Sequence, residues 1–336
     1  MNYQHLTIEE REIIQLMLWQ KKSVRAMAKE LNRSPSSISR EINKSRRSDG
    51  RRLYIPRAAH ERAVQNRSIR GERRLVNNER LRDYVIKHLK LGWSPEQISA
   101  KAEEITGTKI SHEAIYQYIY AQVHRNGYGY IRPGCEDLRQ YLPRRKKRRV
   151  RKGLRASYRI DKGPLPSIDN RPQEVERRER IGHWEDDLIV SKVSKQALKT
   201  VNERVSGIVF IEKVNNKTIS ESNRSVAKSL KSIPLEYRKT LTRDRGSENL
   251  GHVELEQELG IICYFAHAYH SWERGSNENL NGLIRRFLPK GTDFRTVSSK
   301  QIKHIEYLIN SRPRKRLGWK TPYEVFYEMT GVALRV

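Results

Sequence analysis

The first part of the chain places its apolar residues at the spacing of short helices. Thr7 with Glu10 forms a capping-box signature that precedes an apolar run. Ser23 is a second helix start, and Ser34-Pro35 is a third, because proline suits the first turn of a helix. The pattern predicts three short helices in a domain that spans residues 1–50.

The third of these helices is predicted to contact DNA. Ile38 and Ile42 would anchor it, while short polar and basic side chains face outward. Such side chains on an exposed helix suit the major groove, which predicts a helix-turn-helix domain. The alternative is a plain three-helix bundle with a solvated face. The predicted DNA contacts are Ser36, Ser37, Ser39, Arg40 and Asn43.

A similar helical pattern returns in residues 79–125. Ser94-Pro95 and Ser111 are helix starts, and apolar and aromatic residues line one side of the last helix. This pattern predicts a second helix-turn-helix domain, with an outward face less basic than that of the first. Residues 51–78 lie between the two domains and are rich in arginine, so we interpret them as a basic connecting segment suited to the phosphate backbone.

Residues 126–178 are predicted to form a basic linker. Nine of the twelve residues from Arg144 to Arg155 are basic, and such a run suits contact with phosphates of any sequence. A nuclear-localisation signal is the alternative, although nothing else in the chain favours one. The predicted phosphate contacts are Arg144, Arg145, Lys146, Lys147, Arg148 and Arg149.

Residues 179–336 change to the short apolar runs that are typical of strands. The runs HWEDDLIV, ALKTVNERVS and GIVFIEKVNN predict three strands, the last two joined by a turn at Ser206-Gly207. Helix, strand, helix and strand patterns come next along the chain, up to a last helix that begins near Ser276. The order βββαβαβα predicts an α/β domain in which helices flank a mixed sheet.

Three carboxylates stand out in this predicted domain. Asp187 lies on the first strand, Asp244 ends the fourth strand, and Glu278 lies on the last helix. Carboxylates buried together repel one another unless divalent cations bind between them. Two Mg²⁺ or Mn²⁺ ions held about 4 Å apart would suit in-line phosphoryl transfer. The predicted DNA contacts beside this site are Arg274, Asn281 and Arg285.

The charge of the chain strengthens the case for a polyanionic partner. The 336 residues carry a formal net charge of +29, and residues 1–180 contain 42 Lys and Arg against 21 Asp and Glu. Double-stranded DNA is the expected partner, although bulk charge alone would also fit a ribosomal or architectural protein. With two cysteines and no signal peptide or long apolar run, we expect a soluble protein of a reducing compartment with no membrane partner.

Four segments together resemble the IS-thirty family of bacterial insertion-sequence transposases. They are IGHWEDDLI, LTRDRGSEN, WERGSNENLNGLIRRFLPKGTDF and NSRPRKRLGWKTPYEVF. The resemblance covers nearly the whole chain and implies an RNase H-like, retroviral-integrase-like catalytic domain over residues 179–336. It also implies that Asp187, Asp244 and Glu278 are the DDE triad of a Mg²⁺-dependent polynucleotidyl transferase with two ions per active site.

The resemblance further implies a reaction and a setting. Terminal inverted repeats would be bound, hydrolysis would expose a 3′-hydroxyl, and that hydroxyl would attack target DNA. A homodimer or larger assembly is expected, because two DNA ends must be joined. The setting would be the bacterial cytoplasm, in association with the nucleoid.

Asp186 departs from the family pattern, which usually has a small residue at this position. Adjacent residues of a strand point to opposite faces, so Asp186 and Asp187 cannot both face the metal ions. We therefore expect Asp186→Gly to be tolerated, because it would remove a charge remote from the site.

Two other functions would explain part of the chain. A helix-turn-helix transcriptional regulator with a non-catalytic dimerisation domain accounts for the first 125 residues but leaves the three carboxylates unexplained. A metal-dependent nuclease shares the catalytic core but would not need two DNA-binding domains. Metal-dependent strand joining separates the three functions.

Several further residues have more than one interpretation. Cys263, His267 and His270 could bind zinc, but their spacing fits no common site, which favours core and loop residues. Glu185 shares strand parity with Asp187, so a place near the site and a structural role are both open. The remaining interpretations are a surface position for Glu248 and packing at the start of the strand for His183 and Trp184.

Overall fold

The computed structural model describes residues 5–44, 54–124, 129–143, 165–267, 270, 273 and 275–334. The predicted contacts Arg144 to Arg149 and Arg274 lie outside the described residues. The chain divides into two compact units: unit 1 is Met1–Val85 with Ile110–Asp137, and unit 2 is Ile86–Lys109 with Leu138–Val336. The segment predicted as the second helix-turn-helix domain, residues 79–125, contributes residues to both units.

Five helices of the first 125 residues begin where the sequence predicts, whereas the helices Pro56–Asn77, in the segment interpreted as a basic connector, and Glu79–Lys90 have no predicted start. Their bounds are α1 Ile8–Trp19, α2 Val24–Glu30, α3 Pro35–Lys44, α4 Pro56–Asn77, α5 Glu79–Lys90, α6 Pro95–Thr106 and α7 His112–Ala121. Capping hydroxyls begin five of them, because each accepts a backbone N–H of the first turn that has no partner inside the helix. The capping residues are Thr7, Ser23, Ser34, Ser94 and Ser111.

The helix-turn-helix region of unit 1 is held by an apolar core and one ion pair. Ile14 of α1, Met27 of α2 and Ile38 of α3 are fully buried in one cluster. Arg11 of α1 donates from Nε to Glu41 of α3 at 2.7 Å, and Arg11 is itself buried. These contacts fix α3 and leave its opposite side open to solvent.

Unit 2 contains a mixed five-stranded sheet. Its strands are β1 His183–Val190, β2 Ala197–Glu203, β3 Val209–Val214, β4 Thr240–Arg243 and β5 Ile262–Phe265. The strand order is β3-β2-β1-β4-β5. The β1–β2 and β2–β3 pairs are antiparallel, whereas the β1–β4 and β4–β5 pairs are parallel. The predicted mixed sheet is therefore confirmed.

The helices that come after residue 170 confirm the predicted element order and extend it. Their bounds are α8 Gln173–Arg177, α9 Ile219–Leu230, α10 His252–Leu259, α11 Gly275–Phe287, α12 Ser299–Asn310 and α13 Pro322–Thr330. From β1 to α11 the order is βββαβαβα, as predicted. The sequence pattern predicts α11 as the last helix, whereas α12 and α13 come after it in the structure.

Alternation along the strands gives each face of the sheet its own core. Trp184 of β1 and Val201 of β2 pack in a cluster with residues of α9 and α10. Ile189 of β1 and Leu198 of β2 pack in a second cluster with residues of α11 and α12. Within the described residues, the helices are too short or too polar for any to cross a membrane.

Candidate active site

Asp187 lies on the face of the sheet that α11 covers. It shares this face with Ile189, two residues further along β1, which is buried against α11 and α12, whereas Trp184 faces the other core. The Asp187 carboxylate is half-buried, and its Oδ2 accepts a hydrogen bond from Asn281 Nδ2 at 2.6 Å. This bond joins the first predicted carboxylate to the helix that carries the third.

Asp186 points to the opposite face and is fully buried there. Its Oδ2 lies 2.6 Å from Lys199 Nζ and 3.1 Å from Arg243 Nε. Burial alone would raise the pKa of Asp186, but the charges of Arg243 and Lys199 outweigh it and lower the pKa. Asp186 therefore faces away from Asp187, as expected, but it is the buried counter-ion of two cations, so Asp186→Gly should destabilise the fold instead of being tolerated.

Asp244 comes directly after β4, the strand that pairs in parallel with β1. The register aligns Glu185 with Thr242. Two residues further along each segment, Asp187 and Asp244 therefore lie side by side at the same level of the sheet. Asp244 Oδ1 accepts from the backbone N–H of Gly246 at 3.0 Å and from Asn249 Nδ2 at 2.6 Å. These bonds hold the Asp244 carboxylate in the turn after the strand.

Glu248 belongs to the same turn and is buried, with a relative exposure of 7%. A side chain at Gly246 would place its Cβ 2.7 Å from the Glu248 carboxyl carbon, so the glycine leaves room for this carboxyl group. The interpretation of Glu248 as a surface residue is therefore wrong. The tight turn folds Glu248 back toward Gly246 and covers it.

Glu278 is an exposed residue in the first turn of α11. The helix is anchored beside it, since Asn277 Nδ2 donates to the backbone oxygen of Asp186 at 3.2 Å and Asn277 Oδ1 accepts from Asn202 at 3.0 Å. Asn281, three residues after Glu278, lies on the same helix face and bonds to Asp187. Glu278 is therefore held within one helical turn of the residue that contacts the Asp187 carboxylate.

The three carboxylates belong to neighbouring elements, but their oxygens are not in direct contact. Among the described residues, their oxygens do not form a set that lies within 4.8 Å of one another. The donor set consists of carboxylate oxygens, which are the ligands that Mg²⁺ and Mn²⁺ prefer. The residues present thus fit hard divalent cations.

Asn281 and Arg285, two of the predicted DNA contacts, make contacts within unit 2. Asn281 donates to Asp187, as described above. Arg285 Nη2 donates to the backbone oxygen of Val190 at 2.8 Å, and its guanidinium lies 5.6 Å from the centroid of the Phe294 ring. In this geometry Asn281 orients Asp187, and Arg285 braces α11 against the end of β1.

Glu185 and His183 have structural surroundings. The Glu185 carboxylate is fully buried and forms an ion pair with Arg204. His183 Nδ1 lies 2.9 Å from the hydroxyl of Thr240, and Trp184 is fully buried. The packing interpretation of His183 and Trp184 is confirmed. For Glu185, the buried ion pair favours the structural role over a role in the site.

A second polar cluster lies in the segment that leads into α11. His267 Nδ1 lies 2.8 Å and His270 Nδ1 3.1 Å from Glu273 Oε1, and His267 Nε2 lies 3.0 Å from Asp169 Oδ2. The hydrogen bond to Glu273 raises the pKa of His267. Sequence reasoning noted the two histidines but missed Glu273. Cys263 belongs to the apolar core, as favoured, and burial raises the pKa of its thiol to about 12.

The predicted DNA-contacting residues of α3 lie on its open side. Ser36, Arg40 and Asn43 are on this helix with Ser37 and Ser39, and the five range from half-buried to exposed. Ile38 among them is fully buried and fixes the orientation of the helix. The structure thus separates the anchoring residue of α3 from the polar residues, as the spacing predicts.

The chain is similar to a known domain family in its N-terminal part and to several known proteins over nearly its whole length. A helix-turn-helix domain family matches residues 2–45. The chain is 37% identical to the transposase for insertion sequence element IS4351 of Bacteroides fragilis, over 97% of this chain and 96% of that protein. It is 37% identical to transposase InsI for insertion sequence element IS30A of Escherichia coli (strain K12), over 98% and 85%.

Two further likenesses differ in strength. The transposase for insertion sequence element IS1086 of Cupriavidus metallidurans is 33% identical, over 97% of this chain and 95% of that protein. The crystal structure of the catalytic core domain of BIV integrase covers 44% of this chain and 95% of its own, with 19% identity and a TM-score of 0.35.

Proposed function

The chain belongs to the IS-thirty (IS30) family of insertion-sequence transposases, and we propose that it cleaves and joins DNA at a site built from Asp187, Asp244 and Glu278. It is a DNA transposase with an N-terminal helix-turn-helix domain and an RNase H-like catalytic domain. The alternative of a regulator with a non-catalytic second half is set aside by this membership. The catalytic residues and the metal cofactor are the proposed part.

One observation carries the choice of residues. The parallel β1–β4 register puts Asp187 and Asp244 side by side, and the bond from Asn281 to Asp187 brings the helix of Glu278 to the same place. Three carboxylates from three separate elements are thus carried at the same end of the sheet. Close approach of three negative charges is unfavourable unless cations bind among them.

The three carboxylates would hold two Mg²⁺ or Mn²⁺ ions. Such ions, when bound, activate the attacking oxygen and stabilise the leaving oxygen of an in-line phosphoryl transfer. Asn281 holds the Asp187 carboxylate against α11, and Asn249 together with the Gly246 N–H holds that of Asp244. The chain's contribution is to orient the ligands before DNA arrives.

DNA would be recognised through α3 and positioned through basic segments. Arg40 and Asn43 lie on the open side of α3 and can reach base edges in a major groove. The proposed ligand is the terminal inverted repeat of the element, followed by target DNA as the acceptor. Since two ends must be brought together, the active form would contain at least two copies of the chain.

Amide variants test the proposal. Asp187→Asn, Asp244→Asn and Glu278→Gln should each reduce strand transfer of a pre-cleaved inverted-repeat end by about a thousand-fold or more, because the amide keeps the shape and loses the charge that binds a cation. End binding in a mobility-shift assay should be unchanged. Glu254→Gln, an exposed position on α10, is the matched control and should join DNA normally.

A result at one position would correct the assignment there. Normal joining by any of the three amide variants removes that residue from the site. Normal joining by all three would refute the proposed chemistry while leaving the family membership intact.

A further inference from the structure

Four arginines of unit 2 lie in a group that has cations but no carboxylates as close neighbours. Arg286 is on α11, and Arg312, Arg314 and Arg316 come after α12. In the described part of the unit, no carboxylate oxygen lies within 4.0 Å of their guanidinium nitrogens. Three of them donate instead to backbone oxygens: Arg286 to Tyr141 at 2.7 Å, Arg316 to Val205 at 2.7 Å, and Arg312 to Gly92.

The hydrogen-bonding capacity of this group is not used up by the protein. Arg312 Nε and Arg314 Nε and Nη2 are buried and have no acceptor among the described residues. Buried donors of this kind are unusual, because almost all find a partner. Arg316 is exposed and Arg314 is partly exposed, so the group remains open to solvent on one side.

Burial and then mutual repulsion lower the pKa of two of these cations. Burial, followed by the charges of Arg286 and Arg314, lowers the pKa of Arg312 to about 9. Burial, followed by the charge of Arg316, lowers the pKa of Arg314 to about 10. An anion bound at this place would relieve the repulsion and accept the unused hydrogen bonds.

One carboxylate, Glu203, acts on the group but is held by other hydrogen bonds. Burial and then the charge of Arg178 lower the pKa of Arg316, and Glu203 has a smaller effect in the opposite direction. Glu203 Oε2 accepts from the Ser206 hydroxyl at 2.7 Å and from the backbone N–H of Val205 at 2.9 Å. It therefore holds the β2–β3 turn and does not neutralise the arginines.

The backbone presents these side chains in a fixed arrangement. The Arg314 N–H donates to the Lys320 oxygen at 3.0 Å, and the Trp319 N–H donates to the Arg314 oxygen at 3.0 Å, which closes a tight loop. Gly207 leaves room for them, since a Cβ there would lie 2.9 Å from Arg314 Nη1 and would also collide with Arg316. A glycine at the β2–β3 turn thus lets two guanidiniums lie against it.

One end of the group, at Arg316, lies near the start of α11, the helix that carries Glu278, whereas Arg286 and Arg312 lie near its last turn. The β2 residue Asn202 bonds to Asn277 of α11 just before the turn on which Arg314 and Arg316 lie. Exposed Arg178, which contributes to the lowered pKa of Arg316, donates to the Ser276 hydroxyl at 3.1 Å. Arg316 and its neighbour Arg178 are therefore near the start of α11 without belonging to the proposed active site.

We propose that Arg314 and Arg316, supported by Arg178 and the buried Arg312, bind backbone phosphates of the DNA strand that lies across the active site. The inference rests on the proposed function, because it takes the polyanion beside Glu278 to be DNA. Arginine guanidiniums suit phosphate oxygens through paired hydrogen bonds. In this group Arg312 and Arg314 both keep buried guanidinium donors that no acceptor of the described residues takes up.

Binding by full-length protein that carries Glu278→Gln gives the first test, since no catalysis is required. The variants are Arg314→Gln and Arg316→Gln, with Lys315→Gln as control, because Lys315 is exposed between them and its substitution removes the same charge. For duplex DNA of random sequence, each arginine variant should reduce the slope of log affinity against log salt by about 0.9 for each phosphate that it no longer neutralises. The Lys315 variant should keep the slope.

Neutral methylphosphonates placed one at a time near the cleavage site give the second test. One or two such positions should weaken binding several-fold in the parent and in the Lys315 variant but not in the Arg314 variant. Arg314→Lys should recover part of the affinity, because it restores the charge.

Equal slopes in all variants, or lowered thermal stability with unchanged binding, would overturn the proposal and leave a structural brace. Normal strand transfer by the amide variants of the three carboxylates would refute the proposed function without affecting these binding results.

Discussion

Neighbouring residues on one strand have opposite roles in this protein. Asp186 and Asp187 are both aspartates of β1, yet one is buried between Lys199 and Arg243 and the other is half-exposed beside Asn281. Strand alternation alone produces this difference, because each face of the sheet has its own covering helices. A buried counter-ion and a candidate metal ligand can thus be adjacent in the sequence.

This difference predicts opposite effects of matched substitutions. Asp186→Asn leaves two buried cations without their carboxylate, so the free energy of unfolding should fall by about 3–5 kcal/mol. Asp187→Asn should change it by about 1 kcal/mol or less, since the side chain is half-exposed. Urea unfolding of the two variants side by side measures both quantities. Equal stability of the two variants would show that Asp186 is not the counter-ion described here.

At the scale of elements, a cluster of ionisable side chains comes just before α11 in the chain. Burial alone would raise the pKa of Glu273, but hydrogen bonds from the His267 side chain and backbone and from His270 outweigh it and lower the pKa. The same bond to Glu273 raises the pKa of His267, with Asp169 as a second carboxylate neighbour. The cluster is therefore most favourable when Glu273 is ionised and His267 is protonated.

The two shifts define a pH window. The contribution of Glu273 is present above its ordinary pKa of 4.5 and is lost as the pH falls through the lowered value. The contribution of His267 is present below its ordinary pKa of 6.5 and is lost as the pH rises through the raised value. The urea midpoint of Glu273→Gln should thus fall furthest below that of the parent between pH 4.5 and 6.5. A difference that stays constant up to a pH well above the raised pKa of His267 would contradict this account, and Glu254→Gln serves as the control.

At the scale of the whole molecule, specific and non-specific DNA binding fall to different segments. The outward side chains of α3 suit base edges, whereas the basic run from Arg144 to Arg155, outside the described residues, suits phosphates of any sequence. Selectivity and overall affinity should therefore be separable by substitution.

Two multiple variants of the full chain measure that separation. Arg40→Ala with Asn43→Ala should lower affinity for the inverted repeat by about ten-fold or more and leave random duplex nearly unchanged, because hydrogen bonds to base edges are removed. Replacing Arg144 to Arg149 by glutamine should weaken binding to both DNAs alike and reduce the salt slope. A loss confined to the inverted repeat in the glutamine variant would contradict the phosphate-contact role.

Local patterns predicted most of the elements, because the physics that starts a helix or buries a strand is local. The capping residues Thr7, Ser94 and Ser111 and the run HWEDDLIV each specify their element without help from distant residues. The spacing of the carboxylates likewise indicated three elements that could converge.

The sequence patterns could not predict which residues pair with residues far away along the chain. Asp186 pairs with Arg243, 57 positions away, and Arg316 reaches Val205 across 111 positions. The burial of Glu248 depends on one tight turn at Gly246. Glu273 could be assigned to a cluster only from its hydrogen bond with His267 in the structure. Tertiary contacts decided each of these cases.

Replacement of the proposed ligands by cysteine tests the central claim most directly, because a thiolate binds Mn²⁺ far better than it binds Mg²⁺. Asp187→Cys, Asp244→Cys and Glu278→Cys should each fail to join a pre-cleaved end in Mg²⁺, and at least one should regain joining in Mn²⁺. Glu254→Cys should be fully active in both metals. Joining in Mg²⁺ at the parent rate by any of the three, or no recovery in Mn²⁺ at any of them, would contradict metal ligation by these carboxylates.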